Sequence, residues 1–397
     1  MSQMDRRQAL RLFAGLGAAA AVPSLAACGG SSLGGGDAKP VGSVKIGLLA
    51  PQTGIYKVVG LDMIRGFELY LKLNGNKLGG REVELFKADE GDTADSGKTG
   101  AEKLIKQDKV LALTGVVSSA TIGAIKELVE TSQIPLVGSN ASPTTLQGVK
   151  YIWRTSYVND EPGKALGKYL ADNIDGKVFC LAANYQAGID EIEGLKATFL
   201  PAGGVMANEP LYTPFPTLKN FGPHLNQIKS SDAKAVFCFY GGGMAVQFVK
   251  EYKQFQVGLP LYAPGFLTEG AVLKGQGDAA TGIFTSMNYA ADLDNAANRK
   301  FASEYQKQHE GEVPTTYAMA SYDAAAVLDK AVLLAGEDLT PQTLNAALGR
   351  VGQIDSPRGT WQFNQNRTPQ QKWYLREVKM DGAVLANTLV SELTTLG

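Results

Sequence analysis

Short apolar segments typical of buried strands alternate along this chain with segments of helical apolar spacing. The first series starts at residues 44–49 and ends at 134–137, in the predicted order βαβαβαβ. A second series starts at residues 177–181 and continues in the same order to about Leu261. Such alternation favours a parallel sheet with helices on both faces. The sequence therefore predicts an α/β fold with two lobes and a cleft between them.

The N-terminal region has the order of segments found in a bacterial export signal. Arg6 and Arg7 open a basic stretch. Residues 12–21 are apolar or small but too few to span a bilayer, which takes about 20 apolar residues. Residues 25–28, Leu-Ala-Ala-Cys, resemble a lipobox, in which a cysteine thiol carries the lipid. Residues 1–27 are therefore predicted to be a signal peptide.

The predicted mature chain starts at Cys28, the expected lipidation site, and continues through a Gly/Ser-rich tether at residues 28–42. We expect the protein to be exported and held by this lipid anchor at the outer face of the cytoplasmic membrane. The pair Arg6 and Arg7 resembles a twin-arginine signal, so twin-arginine and general export both stay open.

Composition and motifs argue against several classes of function. The 38 basic and 39 acidic side chains give a formal net charge of −1, whereas a broad nucleic-acid interface needs a basic face. The chain has two histidines and lacks the Gly-x-Ser-x-Gly, His-Glu-x-x-His and phosphate-loop motifs. We therefore expect a protein that is not an enzyme, with no cofactor, no metal centre and no nucleic-acid partner.

An acidic run follows the second predicted strand and contains Asp89, Glu90, Asp92 and Asp95. Oxygen ligands of this kind suit calcium, so a metal site is one interpretation. The favoured interpretation is a solvated loop that leads into a helix start, where the helix dipole stabilises carboxylates.

Glycine and serine follow several predicted strands at the edge where a ligand would bind. In open α/β sheets this edge lies beyond the carboxyl ends of the strands. Residues 115–119 and 138–143 follow strands of the first series, and residues 241–243 follow a strand of the second. Free N–H groups at a helix start and serine hydroxyls can bind an anion such as a carboxylate. The alternative, that these residues are only helix caps and turns, stays open.

Several stretches match one family in their order and spacing: residues 46–54 (Ile-Gly-Leu-Leu-Ala-Pro-Gln-Thr-Gly), 76–81, 115–119, 316–324 and 356–359. With them the chain resembles the leucine/isoleucine/valine-binding proteins, which are type I periplasmic solute-binding proteins of ABC transporters. The resemblance covers essentially all of the chain from residue 43 to residue 395.

The resemblance implies two Rossmann-like lobes joined by three crossover strands, near residues 156–160, 286–291 and 354–363. It implies a first lobe of residues 43–157 plus 290–353 and a second lobe of residues 158–289 plus 354–397. A small-molecule ligand would lie between the lobes, which close by hinge motion before a permease of the transporter recognises them. We expect a monomer.

The resemblance also implies ligand contacts. The family's carboxylate-binding serine falls on Ser119, and its backbone donors fall near Ser139. Its assisting threonine falls on Ala141, and its second-lobe tyrosine falls on Ala187, close to Tyr185. The predicted ligand-binding set is Tyr56, Ser118, Ser119, Ser139, Asn140, Ala141, Ser142, Tyr185, Gly243, Met244, Gly265 and Phe266.

One family position departs from the pattern: the acidic residue that pairs with a ligand ammonium falls on Gly265. A buried ammonium without a counter-charge is very costly. Ala187, Gly243 and Gly265 are also predicted to enlarge the pocket, where Phe266, Met244 and Tyr56 could stack on a flat ligand. The expected ligand is therefore a small carboxylate with an aromatic or apolar body.

Three other functions stay open. Branched-chain or other amino acids are the alternative ligands of the same transporter class. A module that reports ligand to a membrane receptor would use the same cleft and anchor. An enzyme is the least favoured, because the catalytic motifs named above are missing.

Cys180 and Cys238 lie in apolar predicted strands of the second series. The family's strand order makes these strands neighbours, and a disulfide between adjacent central parallel strands fits the required geometry badly. We therefore predict two buried free thiols.

Overall fold

The structure is a computed structural model that describes residues 42–397. The predicted signal peptide, the lipidation site at Cys28 and nearly all of the tether lie outside the described residues. None of the described helices is long and apolar enough to cross a membrane. Within the described range the chain forms two lobes, each built on one sheet.

The first sheet has six strands: β1 (Val44–Ala50), β2 (Lys77–Leu78), β3 (Arg81–Asp89), β4 (Ala112–Gly115), β5 (Leu136–Gly138) and β6 (Ile152–Arg154). They are paired in the order β2-β3-β1-β4-β5-β6, and every pair is parallel except β2 with β3. All residues of β1 except Lys45 are buried. Such a continuous apolar strand is expected where helices cover both faces of a parallel sheet.

The second sheet has nine strands: β7 (Lys177–Ala183), β8 (Val205–Met206), β9 (Leu211–Thr213), β10 (Ala233–Phe239), β11 (Leu261–Pro264), β12 (Phe284–Met287), β13 (Gln362–Phe363), β14 (Pro369–Asp381) and β15 (Val384–Leu396). Its main order is β13-β14-β12-β11-β10-β7-β8, with β9 on β7 and β15 on β14. The strands from β7 to β12 pair in parallel, and the antiparallel hairpin β14–β15 covers the far edge.

Helices cover both sheets: α1 (Lys57–Leu73), α2 (Ala94–Glu102), α3 (Ser119–Ser132), α4 (Glu161–Asn173), α5 (Gln186–Phe199), α6 (Gly222–Ser230), α7 (Gly242–Gln254), α8 (Ala271–Gln276), α9 (Ala296–Gln308), α10 (Thr316–Ala335) and α11 (Pro341–Leu348). A π-helical turn, Lys103–Gln107, extends α2. The alternation of strands and helices confirms the predicted α/β fold with two lobes.

Each lobe has its own apolar core. Ile46 and Phe67 belong to the core of the first lobe, and Leu181 and Phe248 to that of the second. A further cluster contains side chains from both lobes, among them Val59 of α1 and several aromatic rings. The two lobes are therefore packed against each other across the cleft.

The connections between the lobes meet at one buried carbonyl oxygen, that of Ser156, which follows β6. It accepts hydrogen bonds from Asn288 Nδ2 at 2.8 Å, Arg358 Nη1 at 3.0 Å and Gln371 Nε2 at 2.9 Å. Arg358 also pairs with Asp323 of α10 at 2.9 Å, and both side chains are almost fully buried. The joint is thus held by a buried ion pair and by three hydrogen bonds to one carbonyl oxygen.

Cys180 and Cys238 are both free and buried on the paired strands β7 and β10, as predicted. Burial raises the pKa of the Cys180 thiol to about 12, so this thiol is protonated and unreactive at neutral pH.

Candidate functional site

A cavity of about 40 Å³ lies between the two lobes. Most of its lining residues follow the carboxyl ends of strands in one sheet or the other, which is where open α/β sheets bind ligands. The lining comprises Tyr56, Val59, Val117, Ser119, Asn140, Ala141, Tyr157, Asn159, Tyr185, Ala187, Glu191, Phe239, Gly241, Phe266 and Tyr317.

Ser119 is the first residue of α3, and its buried side chain lies at the cavity wall. Asn159 Nδ2 donates a hydrogen bond to Ser119 Oγ at 3.0 Å. Asn159 Oδ1 accepts from the backbone N–H of Ser142 at 3.2 Å, which sets the orientation of the amide. Because Ser119 Oγ accepts from Asn159, its own O–H is free to donate. With the positive end of a 14-residue helix beside it, this hydroxyl can bind an anionic oxygen.

The loop that leads into α3 is held by Glu90, whose side chain is fully buried. Its carboxyl group accepts hydrogen bonds from the backbone N–H groups of Val117 at 2.7 Å and Ser118 at 2.8 Å. Burial raises the pKa of Glu90 to about 7, while these two hydrogen bonds act in the opposite direction. Val116 in the same loop has a φ of 68°, a strained conformation for a β-branched residue. The loop is thus pinned in a conformation that places Ser119 at the cavity.

Aromatic rings form most of the remaining wall: Tyr56, Tyr157, Tyr185, Phe239, Phe266 and Tyr317. The ring centroid of Phe266 lies 5.3 Å from that of Tyr157 and 6.0 Å from that of Phe239. It also lies 6.2 Å from the centroid of Tyr317. Flat apolar faces at these separations suit an aromatic or aliphatic ligand body.

The two lobes touch directly at the cavity. The hydroxyl oxygens of Tyr56 in the first lobe and Tyr185 in the second are 3.3 Å apart and hydrogen-bonded. Gly242, at the start of α7, has a φ of +55°, and a Cβ there would lie 2.7 Å from the carbonyl oxygen of Ile55. Only glycine combines this backbone conformation with so close an approach of the first lobe.

Glu191 of α5 adds a carboxyl group to the otherwise largely apolar second-lobe wall. Its Oε2 accepts a hydrogen bond from the backbone N–H of Gly163 at 3.0 Å, and the described residues donate none to Oε1. Burial raises the pKa of Glu191 well above its ordinary value, and the negative charges of Asp160 and Asp190 add to the shift. Both effects favour the uncharged form of the Glu191 carboxyl group.

The structure brings half of the predicted ligand-binding set to the cavity: Tyr56, Ser119, Asn140, Ala141, Tyr185 and Phe266. The other half, Ser118, Ser139, Ser142, Gly243, Met244 and Gly265, does not line it. The residues that do not line the cavity are hydrogen-bonded or packed elsewhere or, like Gly243, exposed.

The three serines outside the lining serve the first lobe itself. Ser118 is the N-cap of α3, and its side chain accepts a hydrogen bond from the N–H of Ala120 at 3.2 Å. Ser139 Oγ is hydrogen-bonded to Ser321 Oγ at 2.7 Å, and Ser142 is fully buried. Ser118 is thus a helix cap, which is the alternative that the sequence left open, whereas Ser139 and Ser142 are buried within the lobe.

The expected enlargement of the pocket is corrected by the structure. A Cβ at Gly265 would lie 2.4 Å from Arg376 Nη2, so the space beside this glycine is filled by the arginine, which pairs with Glu269 at 2.8 Å. Gly243 is exposed, whereas Gly241 lines the cavity. Met244 packs into the core of the second lobe instead of facing a ligand.

The acidic run is not simply a solvated loop. Besides the buried Glu90, Asp89 accepts hydrogen bonds from the N–H of Gln52 and the hydroxyl of Thr53, both at 2.7 Å. Asp92 accepts from the N–H of Ile55 at 2.9 Å. These carboxylates thus brace the loop after β1 that carries Tyr56. Within residues 42–397 no group of three or more potential ligands is placed to hold a metal ion.

Several lining residues were missed by the sequence analysis: Tyr157, Asn159, Glu191, Phe239 and Tyr317. Tyr157 and Asn159 follow β6, and Phe239 ends β10. The rule that ligands bind beyond the carboxyl ends of strands could therefore have found them. Glu191 lies within α5, and nothing in its sequence context distinguishes it from a surface acid.

Two α/β lobes closed over a cavity lined by a helix start and aromatic rings define a solute-binding protein. The chain matches the periplasmic binding protein family over residues 43–383 and belongs to it, within the type I group of leucine/isoleucine/valine-binding proteins. Proteins of this family and the similar solved structures are binding proteins, not enzymes.

Among curated relatives, a Leu/Ile/Val-binding protein homolog of Brucella melitensis is 29% identical, with 84% of this chain and 87% of the relative covered. A solved ABC transporter solute-binding protein from R. palustris, in complex with benzoate, is 32% identical with a TM-score of 0.80. That match covers 88% of this chain and 98% of the other. A protein from Rhodopseudomonas palustris HaA2 in complex with p-hydroxybenzoic acid is 28% identical, with a TM-score of 0.83 and coverages of 88% and 96%.

Proposed function

We propose that this chain is the solute-binding component of an ABC transporter and captures a small aromatic carboxylate in the cavity between its lobes. The observation that carries the proposal is the combination, in one cavity, of the free Ser119 O–H at the start of α3 with six aromatic rings. The serine would bind the carboxylate, and the rings would enclose the ligand body.

The ligands of similar proteins support this choice. Solved relatives that are 26–32% identical to this chain are complexes with benzoate, p-hydroxybenzoate and 3,4-dihydroxybenzoate. The lobes must also move to admit such a ligand, because an apolar cavity that binds benzene measures about 150 Å³, against about 40 Å³ here. The Tyr56–Tyr185 hydrogen bond is one contact between the lobes that this motion would strain.

The proposal extends to the surroundings of the cleft. The lobes would comprise residues 43–157 plus 290–353 and 158–289 plus 354–397, with hinge motion at their joint. A lipid on Cys28 would hold the exported protein at the membrane, where the closed form would meet a permease of the transporter.

An amino acid is the second candidate ligand, and Glu191 is the observation that favours it. Upon ionisation the Glu191 carboxyl group would supply the counter-charge for a ligand ammonium. Gly265, at the position of the family's acidic residue, has no side chain to do so. The relatives named for leucine, isoleucine and valine belong to the same family.

Calorimetric titration of the purified protein with benzoate and with leucine tests the proposal. We expect benzoate to bind and to raise the melting temperature in a concentration-dependent way, since it binds only the folded form. Tight binding of leucine and none of benzoate would favour the second candidate instead.

A further inference from the structure

Glu191 is a buried polar side chain aimed into the ligand cavity and only half satisfied there. It is 1% exposed and lines the cavity together with Tyr157, Tyr185 and Phe239. One oxygen, Oε2, is bonded to the N–H of Gly163, while Oε1 receives no hydrogen bond from the described residues. Oε1 is not fully enclosed by the protein, so it is open to a hydrogen bond from a ligand group in the cavity.

The charges around Glu191 decide what kind of ligand group suits it. The charged groups that act on it are acidic: Asp160, Asp190 and Glu161 all raise its pKa, and no Lys or Arg of residues 42–397 forms an ion pair with it. A neutral carboxyl presents both an O–H donor and an acceptor oxygen. A phenolic hydroxyl, which also donates and accepts, matches this pair without any change of charge.

We propose that Glu191 recognises a hydroxyl group on the ring of the bound aromatic acid, which makes hydroxybenzoates the ligand class. This inference rests on the proposed function and deepens it. Ser119 in the first lobe holds the ligand carboxylate, and Glu191 in the second lobe bonds the ring hydroxyl. Benzoate itself would leave the Glu191 Oε1 without a partner in the closed cleft.

The test is calorimetric titration with benzoate and with 2-, 3- and 4-hydroxybenzoate, on the wild type and on three variants. Glu191→Gln keeps an acceptor for Gly163, and Glu191→Met removes the polar group while conserving length. Glu193→Gln, on the exposed side of the same helix, is the matched control. Far-UV circular dichroism and thermal unfolding establish that each variant is folded.

We expect at least one hydroxybenzoate to bind the wild type about tenfold more tightly than benzoate, a typical value for one hydrogen bond to a buried partner. Glu191→Met should abolish this preference while benzoate still binds. Glu191→Gln, whose amide also donates and accepts, should retain it, as should Glu193→Gln. If Glu191→Met does not fold, Glu191→Leu takes its place with the same expected result.

Other results would overturn the inference in distinguishable ways. Equal affinity for benzoate and all hydroxybenzoates, or a preference that survives in Glu191→Met, removes the role of Glu191 but leaves the proposed function standing. Failure of every benzoate to bind overturns both. Tight binding of leucine with release of one proton, detected by titration in buffers of different ionisation enthalpy, would instead make Glu191 an ammonium counter-charge.

Discussion

The two sides of the cavity are built from the same strand-to-helix turn and yet carry different chemistry. Where β4 leads into α3, the first lobe presents the hydroxyl of Ser119 above the buried carboxyl of Glu90. Where β10 leads into α7, the second lobe presents the ring of Phe239 and the backbone of Gly241, with no side-chain cap. One turn is equipped to bind an anion, and the other allows the opposite lobe to come close.

The difference shows that the topology supplies the place of a site and the residues at the turns supply its chemistry. A helix start offers N–H groups and a positive potential in either lobe. In the first lobe the hydroxyl group of Ser119 lies at the start of α3. In the second lobe Gly242 lies at the start of α7 and permits contact with Ile55. The following predictions test this division between an anchoring side and a closing side.

The largest effect is expected from Gly242→Val. A Cβ at this position meets the Ile55 carbonyl oxygen at 2.7 Å, and φ is +55°, so the variant cannot close as the wild type does. We expect ligand affinity to fall on the order of 100-fold in calorimetric titration. Gly243→Val is the control, because a Cβ there has no neighbour within 4 Å. Equal affinity of both variants would mean that closure at this point is unnecessary.

The second prediction concerns the carboxyl group beneath the anchoring turn. Since burial raises the pKa of Glu90 to about 7, the folded state keeps a proton there that the unfolded state releases above about pH 4.5. The stability contributed by protonated Glu90 is therefore fully present below pH ~4.5 and is lost as the pH rises through about 7. The free energy of unfolding should fall over this window by up to about 3 kcal/mol from this group.

Denaturant unfolding at a series of pH values measures this fall. Glu90→Gln should flatten it, and Asp95→Asn, at an exposed acid of the same run, should leave it unchanged. Glu161 also has a pKa raised by burial to about 7 and keeps part of the slope in every variant. An unaltered slope in Glu90→Gln would show that Glu90 does not titrate in this window.

The third prediction concerns the anchoring hydroxyl itself. Ser119→Ala removes a donor to the ligand carboxylate and one of the two acceptors of Asn159 Nδ2, which keeps Asp190 Oδ2 at 3.2 Å. A hydrogen bond to a charged group contributes about 1.5–3 kcal/mol, so we expect benzoate affinity to fall roughly 10- to 100-fold. Ser132→Ala, at the other end of α3, should bind as the wild type does. Unchanged affinity in Ser119→Ala would place the carboxylate elsewhere.

The smallest effect is expected at the exposed rim of the cleft. Lys274 of the second lobe pairs with Glu312 of the first at 2.8 Å, and 63% and 36% of the two side chains are exposed. Exposed ion pairs contribute about 0–1 kcal/mol. Lys274→Met should therefore change ligand affinity less than about fivefold, and Glu312 keeps Arg65 as a partner at 2.6 Å. A larger change would mean that the rim contributes substantially to closure.

Much of the fold followed from the sequence because its signals are local. The apolar run of β1 and the helical spacing of apolar residues in α1 can be recognised from neighbouring residues alone. Ser119 was found because it follows a strand and starts a helix, which are also local properties. Among residues 241–243, which the sequence placed beyond a strand end, Gly241 lines the cavity, whereas Gly243, the one placed in the ligand-binding set, does not.

The residues that sequence reasoning misplaced depend on long-range contacts. Gly265 was expected to open space, but Arg376, far along the chain in β14, fills it. Glu90 was expected to be mainly solvated, but it is buried under the loop before α3. In both cases the decisive neighbour is distant in sequence, so no periodicity or motif reports it.

The sequence by itself determined the α/β alternation, the two-lobed class and the position of the turn that carries Ser119, because strand and helix patterns and strand-end loops are encoded over a few neighbouring residues. Only the tertiary structure decided which rings meet around the cavity and that Glu191 faces into it. Packing brings together residues from both sheets, and burial then changes their ionisation, so the chemistry of the cavity is a property of the assembled lobes.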